Sequence, residues 1–400
     1  MTASLRFAQS LTVAALLAVS YGGASAAPGA PTTAPATPVP AAAETAAPVS
    51  SAVDTARRLV AQGKLDVAVR ELAVYVAGEP RDLDAARYLG DLYYRQADLA
   101  NAERVYVEVL RIEPRDRETH NRLGGIYAAE DRVSDAIDQF TQSLPSMSNA
   151  YGYLIELHRK RGDLDAFLAD TKSRADNDPL DFVAQYNTGM FYDARHRYRE
   201  AAMYLDRARM LQPRNCDTLS ALGSVYIDLH EPKESLDALD RCLNHDAVNY
   251  SALVNRGDLY IDTAQYDKAH ADLDAAHLIR PDGPEALVNL GYLKDVEHDW
   301  HAAVSYYLRA ISIDPLMREG YTNLGCDYEQ HQLYALAEAA FLKGLSIAPS
   351  DGRLHYLLAM TYADQGKRTL ALAEYQQAAN SDETEVARAA TRELAILQKG

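Results

Sequence analysis

The chain has 400 residues, of which 57 are Asp or Glu and 40 are Lys or Arg, so its formal net charge at pH 7 is −17. This balance argues against nucleic-acid binding, which requires a basic face, and against docking on anionic lipid headgroups. Length alone would suggest two or three globular domains, but the chain carries a regular repeat, and a repeat array grows without one closed core.

Residues 1–26 have the layout of a secretory signal peptide. Arg6 precedes an apolar run from Leu11 to Tyr21, and Ala24-Ser25-Ala26 forms a small-residue cleavage site. The run is shorter than the roughly 20 residues that span a bilayer, and no cysteine lies near the cleavage site. The sequence therefore predicts an exported, periplasmic protein without a stable membrane anchor. Residues 27–50 are almost all Ala, Pro, Thr and Ser and predict a semi-extended linker.

From about Val49 to Glu383 the sequence repeats with a period of 34 residues, marked by glycines at positions 90, 124, 189, 223, 257, 291 and 325. Prolines mark the same period at positions 80, 114, 145, 179, 213, 281, 315 and 349. Within one period, Gly325 and Tyr328 share one helical stripe, and Ala337 and Phe341 share another. The pattern predicts ten antiparallel helix pairs, beginning near residues 49, 83, 117, 148, 182, 216, 250, 284, 318 and 352.

The Leu-Gly-x-x-Tyr of the first helix, the Ala and aromatic residue of the second, and the closing Pro resemble the tetratricopeptide repeat (TPR) family. The resemblance implies an all-α, right-handed superhelical solenoid of about ten helix pairs over residues 51–383. It also implies a concave groove, lined by the first helix of each pair, that binds extended or helical segments of partner proteins. In residues 384–400, an apolar stripe that includes Ala390 and Leu394 predicts a C-terminal capping helix.

The fourth repeat departs from the pattern, since its residue equivalent to Gly124 of the third repeat follows after 31 residues instead of 34. Ile155 replaces the glycine, His158 the tyrosine and Thr171 the second-helix aromatic residue, and Ala166 is expected to be its small residue. Two interpretations remain open: a drifted repeat that is repacked locally, or a kink in the stack between the third and fourth repeats.

No catalytic motif is present. The sequence lacks a Gly-rich phosphate loop, His-Glu-x-x-His and Gly-x-Ser-x-Gly, and the repeats leave no room for a catalytic domain. His298 and His301 lie in one turn, but two histidines lack the further ligands that zinc takes. We therefore expect a non-enzyme that has no catalytic residue, no metal site and no cofactor.

Cys216 and Cys242 lie equally far from the predicted close-approach sites of their repeat, Gly223 and Ser235, on the same helix faces. An exported protein meets an oxidising compartment, so a Cys216–Cys242 disulfide is one prediction, with Cys326 left free. The alternative is two small buried thiols.

Two sets of side chains are expected to line the groove. Asparagines stand two residues before the glycine in four of the last six repeats and are candidates for gripping a partner backbone: Asn187, Asn255, Asn289 and Asn323. Acids occupy the inward positions of the later repeats: Asp228, Asp258, Asp262, Asp295 and Glu329. Arg87, Arg95, Arg159 and Lys160 mix with acids in the earlier repeats. The pattern predicts a polarised groove that attracts a basic protein segment, although the same acids would also keep an exported protein soluble.

Two functions follow from these features. The first is a scaffold or adaptor in the periplasm or cell envelope, within an assembly such as a polysaccharide-export, secretion or pilus machine. The alternative is a module that presents substrate proteins to a separate envelope enzyme. Pull-down from a cell envelope distinguishes the two by the class of protein that is captured.

Overall fold

The structure is a computed structural model that describes residues 51–145, 147–381 and 383–399. The predicted signal peptide and linker lie outside the described residues. These residues form 21 α-helices and no strand, so the all-α solenoid expected from the repeat is confirmed.

The helices form ten consecutive pairs followed by one last helix. The first five pairs are α1 (Ser51–Ala61) with α2 (Leu65–Gly78), α3 (Leu83–Arg95) with α4 (Leu99–Ile112), α5 (Arg117–Ala129) with α6 (Val133–Ser143), α7 (Ser148–Arg161) with α8 (Leu164–Asn177), and α9 (Phe182–Ala194) with α10 (Tyr198–Leu211). The remaining helices are α11 (Cys216–Asp228) with α12 (Pro232–His245), α13 (Tyr250–Asp262) with α14 (Tyr266–Ile279), α15 (Pro284–Val296) with α16 (Trp300–Ile313), α17 (Arg318–Gln330) with α18 (Tyr334–Ile347), α19 (Gly352–Asp364) with α20 (Arg368–Ala379), and α21 (Thr384–Lys399).

Local sequence explains where the helices begin and where each pair turns. Six first helices begin after an Asp or Asn, such as Asp116 or Asn215, whose side chain accepts a hydrogen bond from the backbone N–H three residues on. The turn within each pair contains one residue of positive φ, which is glycine only at Gly63, Gly162 and Gly366. The other turns use residues of other types in this left-handed conformation, which ends a helix by satisfying its last carbonyls.

Small residues let the two helices of a pair approach closely. A Cβ atom added to Gly291 of α15 would lie 2.6 Å from Cε1 of Tyr307 in α16. Ala303, on the same face of α16, is also fully buried. The repeated glycine and alanine therefore make room for the large side chain that fills the core of each pair.

The last helix, α21, closes the end of the stack. Its Ala390 and Leu394 are buried in one apolar cluster with Tyr375 of α20 and Leu358 of α19. The C-terminal stripe thus packs against the tenth helix pair instead of being left exposed.

In the fourth repeat, the two helices are wedged apart. Phe167 takes the position that alanine holds in most second helices. The N–H of Phe167 donates to Asp163 O, just as the N–H of Ala201 donates to Arg197 O in the next repeat. The expectation that Ala166 is the small residue is therefore wrong, and Ala166 is exposed. With Ile155 opposite Phe167, both close-approach sites hold large side chains, and Ala175 is the only buried residue among the described side chains of α8.

Candidate partner-binding surface

The superhelix closes on itself, so that later repeats cover the concave surface of the first five. Tyr153 Oη of α7 donates a hydrogen bond to Leu316 O, 2.8 Å away, in the loop between α16 and α17. Ser350 Oγ, in the loop before α19, lies 2.5 Å from Glu156 Oε1 of α7. The sequence predicted a concave groove lined by the first helix of each pair, but in the early repeats later parts of the chain contact this surface.

The same closure joins the ends of the first five repeats to the later ones. Arg57 Nε of α1 lies 2.9 Å from Asp282 Oδ2, before α15. At the other end, His196, in the turn after α9, lies 3.7 Å from Glu383 Oε1. Residues that are separated by up to 225 positions therefore pair across one turn of the superhelix.

A largely buried ion-pair cluster lies where the two turns meet. Arg318 contacts Asp351 at 2.9 Å and Glu319 at 2.6 Å, and Arg353 contacts Glu383 at 3.2 Å. Burial by itself would raise the pKa of Asp351, but the charge of Arg318, the Leu354 N–H bond and further nearby cations together outweigh it, so the pKa is lowered. The pKa of Glu319 is lowered as well, chiefly by the charge of Arg318, so Asp351 and Glu319 are held in the charged form.

Three of the four asparagines form hydrogen bonds within the stack, and the buried amide of Asn323 has no hydrogen-bond partner among the described residues. Asn255 Nδ2 donates to Ser220 O at 3.0 Å and Asn289 Nδ2 to Val254 O at 3.3 Å, each on the preceding first helix. Asn187 Oδ1 accepts from Tyr151 Oη at 2.6 Å.

Asn289 and Asn323 are only 3% and 2% exposed. The expectation that these two side chains face a partner is therefore wrong. The hydrogen bonds of Asn255 and Asn289 join successive first helices, because each side-chain amide donates to a backbone carbonyl of the preceding first helix.

The five predicted acids differ in how far they reach solvent. Asp262 is exposed, Asp228, Asp295 and Glu329 are half-buried, and Asp258 is fully buried. Asp258 is therefore placed wrongly among the side chains offered to a partner. The remaining acids lie near the C-terminal ends of α11, α13, α15 and α17 and form an acidic strip across the later repeats.

Burial changes the acid–base properties of this strip. It raises the pKa of Asp295 to about 7, with a smaller contribution from the charge of Asp327 and an opposing one from the hydroxyl of Tyr307, which donates to the carboxylate. Burial also raises the pKa of Glu329 to about 7, together with a hydrogen bond that Glu329 shares with Asp364. Near neutral pH these carboxyl groups are therefore only partly ionised, and a nearby cation would favour their charged form.

Sequence reasoning missed two acids at the same helical position, one that extends the strip and one that is buried in the repeat before it. Asp364 of α19 shares the hydrogen bond with Glu329, and Asp193 of α9 is buried with its pKa raised to about 6 by that burial. Both stand at the helical position of the other acids, four or five residues after the repeat glycine or its equivalent. That register was the signal that could have found them.

The basic residues near the strip are engaged by acids. Arg256 lies between Asp240 of α12 and Asp272 of α14, at 2.7 Å from each. Lys294 lies 2.7 Å from Glu297. The nearest cations are thus paired to side chains outside the strip.

In the earlier repeats, three of the four cations that we expected in the groove also form ion pairs. Arg87 pairs with Asp116, Lys160 with Asp131, and Arg159 with Glu156 at 2.9 Å. Arg95 lies over the ring of Tyr88.

Cys216 and Cys242 are joined in the structure, with their sulfur atoms 2.15 Å apart and their Cα atoms 5.0 Å apart. Cys326 is a buried free cysteine, and burial raises the pKa of its thiol strongly. The pairing connects the start of α11 to the end of α12 within one repeat.

Among the described residues, no group of three or more His, Cys, Asp or Glu side chains is placed to hold a metal ion. His298 is the positive-φ residue of its turn, and His301 packs against Trp300. In the same part of the chain, no helix is both long enough and apolar enough to cross a membrane.

These features define an all-α helical-repeat protein with a charged concave surface. The tetratricopeptide repeat model matches residues 53–116, 89–150 and 322–385. These regions of the chain are therefore tetratricopeptide repeats, a type of repeat that serves in scaffolds for protein–protein interaction.

The chain is similar to two curated proteins over most of its length. It is 22% identical to the BBSome complex member BBS4 homolog of Drosophila melanogaster over 279 residues, which cover 68% of this chain and 53% of that protein. It is 23% identical to BBSome complex member BBS4 of Bos taurus over 278 residues, 70% of this chain and 47% of that protein. The chain thus spans about half the length of these relatives.

Among solved structures, the chain is similar to one in the hetero-tetramer of APC/C Cut9 and Hcn1. The TM-score is 0.47 at 14% identity, over 86% of this chain and 83% of that one.

Proposed function

We propose that the protein is an exported, non-catalytic scaffold that holds a basic segment of a partner protein against the acidic strip of its later repeats. The observation that carries this proposal is the strip itself: Asp262, Asp295 and Glu329 lie on three successive first helices. A surface lined by charges of one sign attracts a ligand of the other sign and speeds its capture.

The closed superhelix restricts where such a partner can bind. Loops that contain Leu316 and Ser350 fill the concave surface of the early repeats. A partner segment is therefore expected to follow only the later first helices, from α11 to α19. Lys or Arg side chains, instead of a backbone ladder, would supply the contacts, because the amides of Asn255 and Asn289 are engaged within the stack.

Export to the periplasm and a place in an envelope assembly belong to the same proposal. The layout of residues 1–26 supports export. The joined Cys216 and Cys242 also suit an oxidising compartment, where such bonds persist. Fractionation of cells that express the full chain should recover the protein in the periplasmic fraction, and recovery only with the cytosol would contradict export.

A charge-matched pair of variants tests the binding surface. The strip variant carries Asp262→Asn, Asp295→Asn and Glu329→Gln, and a fluorescent peptide of about twelve alternating Lys and Ala residues serves as the probe. At pH 8, where the strip is ionised, we expect binding to the strip variant to be at least about tenfold weaker and less dependent on salt.

The matched control removes the same number of charges elsewhere, through Glu71→Gln, Asp274→Asn and Glu385→Gln, which are all exposed. This control should bind the peptide as the wild-type chain does. Equal losses in both variants would show attraction by net charge alone and would reject the strip as a binding site.

Pull-down from a cell envelope then distinguishes the two kinds of partner. The wild-type chain and the strip variant serve as paired baits, so that proteins retained by the first and lost from the second are bound through the strip. Structural or secretion proteins in that set would support the scaffold. A hydrolase or transferase would support the substrate-presenting alternative.

A further inference from the structure

The wedged fourth repeat leaves a cavity of about 210 Å³ between α8 and the first helix of the next repeat, α9. Thr171 lies in its wall. Repeats 2–10 have nine second helices. In the eight other than α8, the equivalent residue is Leu, Phe or Tyr, at positions 106, 140, 205, 239, 273, 307, 341 and 375. The short side chain of Thr171 therefore leaves open a space that is filled by a large side chain in the other repeats.

We propose that this cavity is a binding site for a small aromatic carboxylic acid, which inserts its ring between α8 and α9 and pairs its carboxylate with basic side chains at the edge. The site lies apart from the acidic strip, and the proposal does not depend on the function assigned to that strip.

The size and wall of the cavity suit an aromatic ring. An apolar protein cavity of about 150 Å³ is known to hold benzene, so 210 Å³ accommodates a ring that carries a short acidic group. Leu168 of α8 and the rings of Phe191 and Tyr192 of α9 supply apolar contacts. Aromatic rings favour edge-to-face or offset packing against such neighbours.

The charges at the edge favour an anion. Lys172, Arg195 and Arg197 line the cavity, against one acid, Asp165. Basic side chains thus outnumber acidic ones among the residues that line this cavity, although the chain as a whole has a net charge of −17.

All three cations already have interactions of their own, and in two of them the partner is an acid: Lys172 pairs with Asp176 and Arg197 with Glu200. Both cations are about half exposed, with side-chain exposures of 51% and 47%, so both pairs are open to solvent. Because such exposed pairs contribute little, either cation can turn toward a bound carboxylate at small cost.

The test uses the full chain, one fluorinated reporter ligand and three competitors. The competitors carry the ring and the carboxylate together, the ring alone, or the carboxylate alone. Binding of 4-fluorophenylacetate is followed by ¹⁹F NMR, and phenylacetate, benzyl alcohol and acetate are compared as competitors. We expect phenylacetate to compete at least about tenfold better than either of the others, as a charge-assisted pair and a buried ring each contribute. Equal competition by benzyl alcohol or by acetate would overturn the proposal, and so would absence of binding.

Two kinds of variant locate the site. Thr171→Leu places in the cavity the side chain found at positions 205, 239 and 273, and it should abolish binding while leaving Tm equal or higher. Lys172→Gln with Arg197→Gln should weaken phenylacetate but not benzyl alcohol. The charge-matched control, Lys233→Gln with Arg241→Gln on α12, should leave both unchanged.

If Thr171→Leu proves unstable, the two charge variants and the comparison of the three competitors still test whether the cavity binds the ligand. Full binding by Thr171→Leu in a folded protein, or equal effects of the two charge variants, would place the ligand elsewhere and refute the proposal.

Discussion

Tyr153 and Leu316 are 163 residues apart in sequence, yet the Tyr153 hydroxyl donates a hydrogen bond to the Leu316 carbonyl at 2.8 Å. The bond connects α7 to the loop between α16 and α17, and so joins two turns of the superhelix. Tyr153 also stacks on Phe140 of α6, with ring centroids 4.8 Å apart. A side chain that belongs to the core of the third and fourth repeats thereby holds a later repeat in place.

Loosening this closure should make the molecule longer. In the double variant Arg57→Ala and Tyr153→Phe, the contacts to Asp282 and to Leu316 are lost. We expect a decrease of about 1–2 kcal/mol in the free energy of unfolding and a larger radius of gyration by small-angle X-ray scattering. Tyr75→Phe, which removes a hydroxyl bond within one repeat, should not change the radius. An unchanged radius in the double variant would mean that other contacts suffice to keep the two turns together.

Close approach within a helix pair can be tested with two glycines. Gly291→Ala would bring a Cβ atom within 2.6 Å of Tyr307, so we expect the free energy of unfolding to fall by about 1–3 kcal/mol. Gly152→Ala is the matched control, because no atom lies within 4 Å of the added Cβ and helical alanine is favoured by about 1 kcal/mol. Urea unfolding measures both, and equal changes in the two variants would contradict the packing argument.

Stability should depend on pH through Asp295. Its pKa is raised to about 7 in the folded chain from a value of 3.8, so the folded state binds the proton more tightly than the unfolded state. The stabilisation is complete below about pH 4 and is lost as the pH rises through 7. Asp295→Asn should therefore match the wild type at pH 4 and exceed it at pH 8, by up to about 4 kcal/mol. The reverse order in urea unfolding at pH 8 would show that the carboxyl group is not destabilised by burial.

The disulfide predicts the number of free thiols. Protein purified under oxidising conditions and denatured without reductant should contain one reactive thiol, that of Cys326, and three after reduction. Since the bridged residues are 26 apart, replacement of Cys216 and Cys242 by Ser should lower the free energy of unfolding by about 3 kcal/mol. Three reactive thiols before reduction would mean that the two cysteines are buried thiols.

Helix α8 should exchange its backbone amide hydrogens faster than the other second helices. Among its described side chains only Ala175 is buried, whereas α10 buries five residues, including Tyr204 and Leu205. Few buried contacts permit local opening at low free energy. Hydrogen exchange followed by mass spectrometry compares the two helices in one sample. Equal protection of α8 and α10 would show that the wedge at Phe167 does not loosen the fourth repeat.

Much of the architecture follows from sequence because neighbouring residues determine it. The 34-residue period predicts the helix pairs, since the spacing of Gly291 and Ala303 decides where two adjacent helices can approach. The apolar stripe through Ala390 and Leu394 predicts a last helix against the stack. Such contacts join residues within one repeat or between neighbours, and a regular pattern repeats them ten times.

The fourth repeat shows where sequence register misleads. Ala166 is small enough for the close-approach site and Phe167 is not, so residue size alone predicts Ala166 at that site. The turn keeps its positive-φ residue at Gly162 in the common register, which places Phe167 at the site in spite of its size. The backbone geometry of the turn determines the facing residue, and the side chains then move the helices apart.

The candidate site depended more on tertiary structure than the fold did. The sequence alone determined that this chain is a stack of helix pairs with acids on its later first helices. Only the tertiary structure decided that the Asn289 amide donates a hydrogen bond to Val254, that Asp258 is buried, and that Leu316 covers the early groove. The reason is that a small rotation at each repeat accumulates over several repeats, and contacts between turns of the superhelix depend on that sum, which no single repeat encodes.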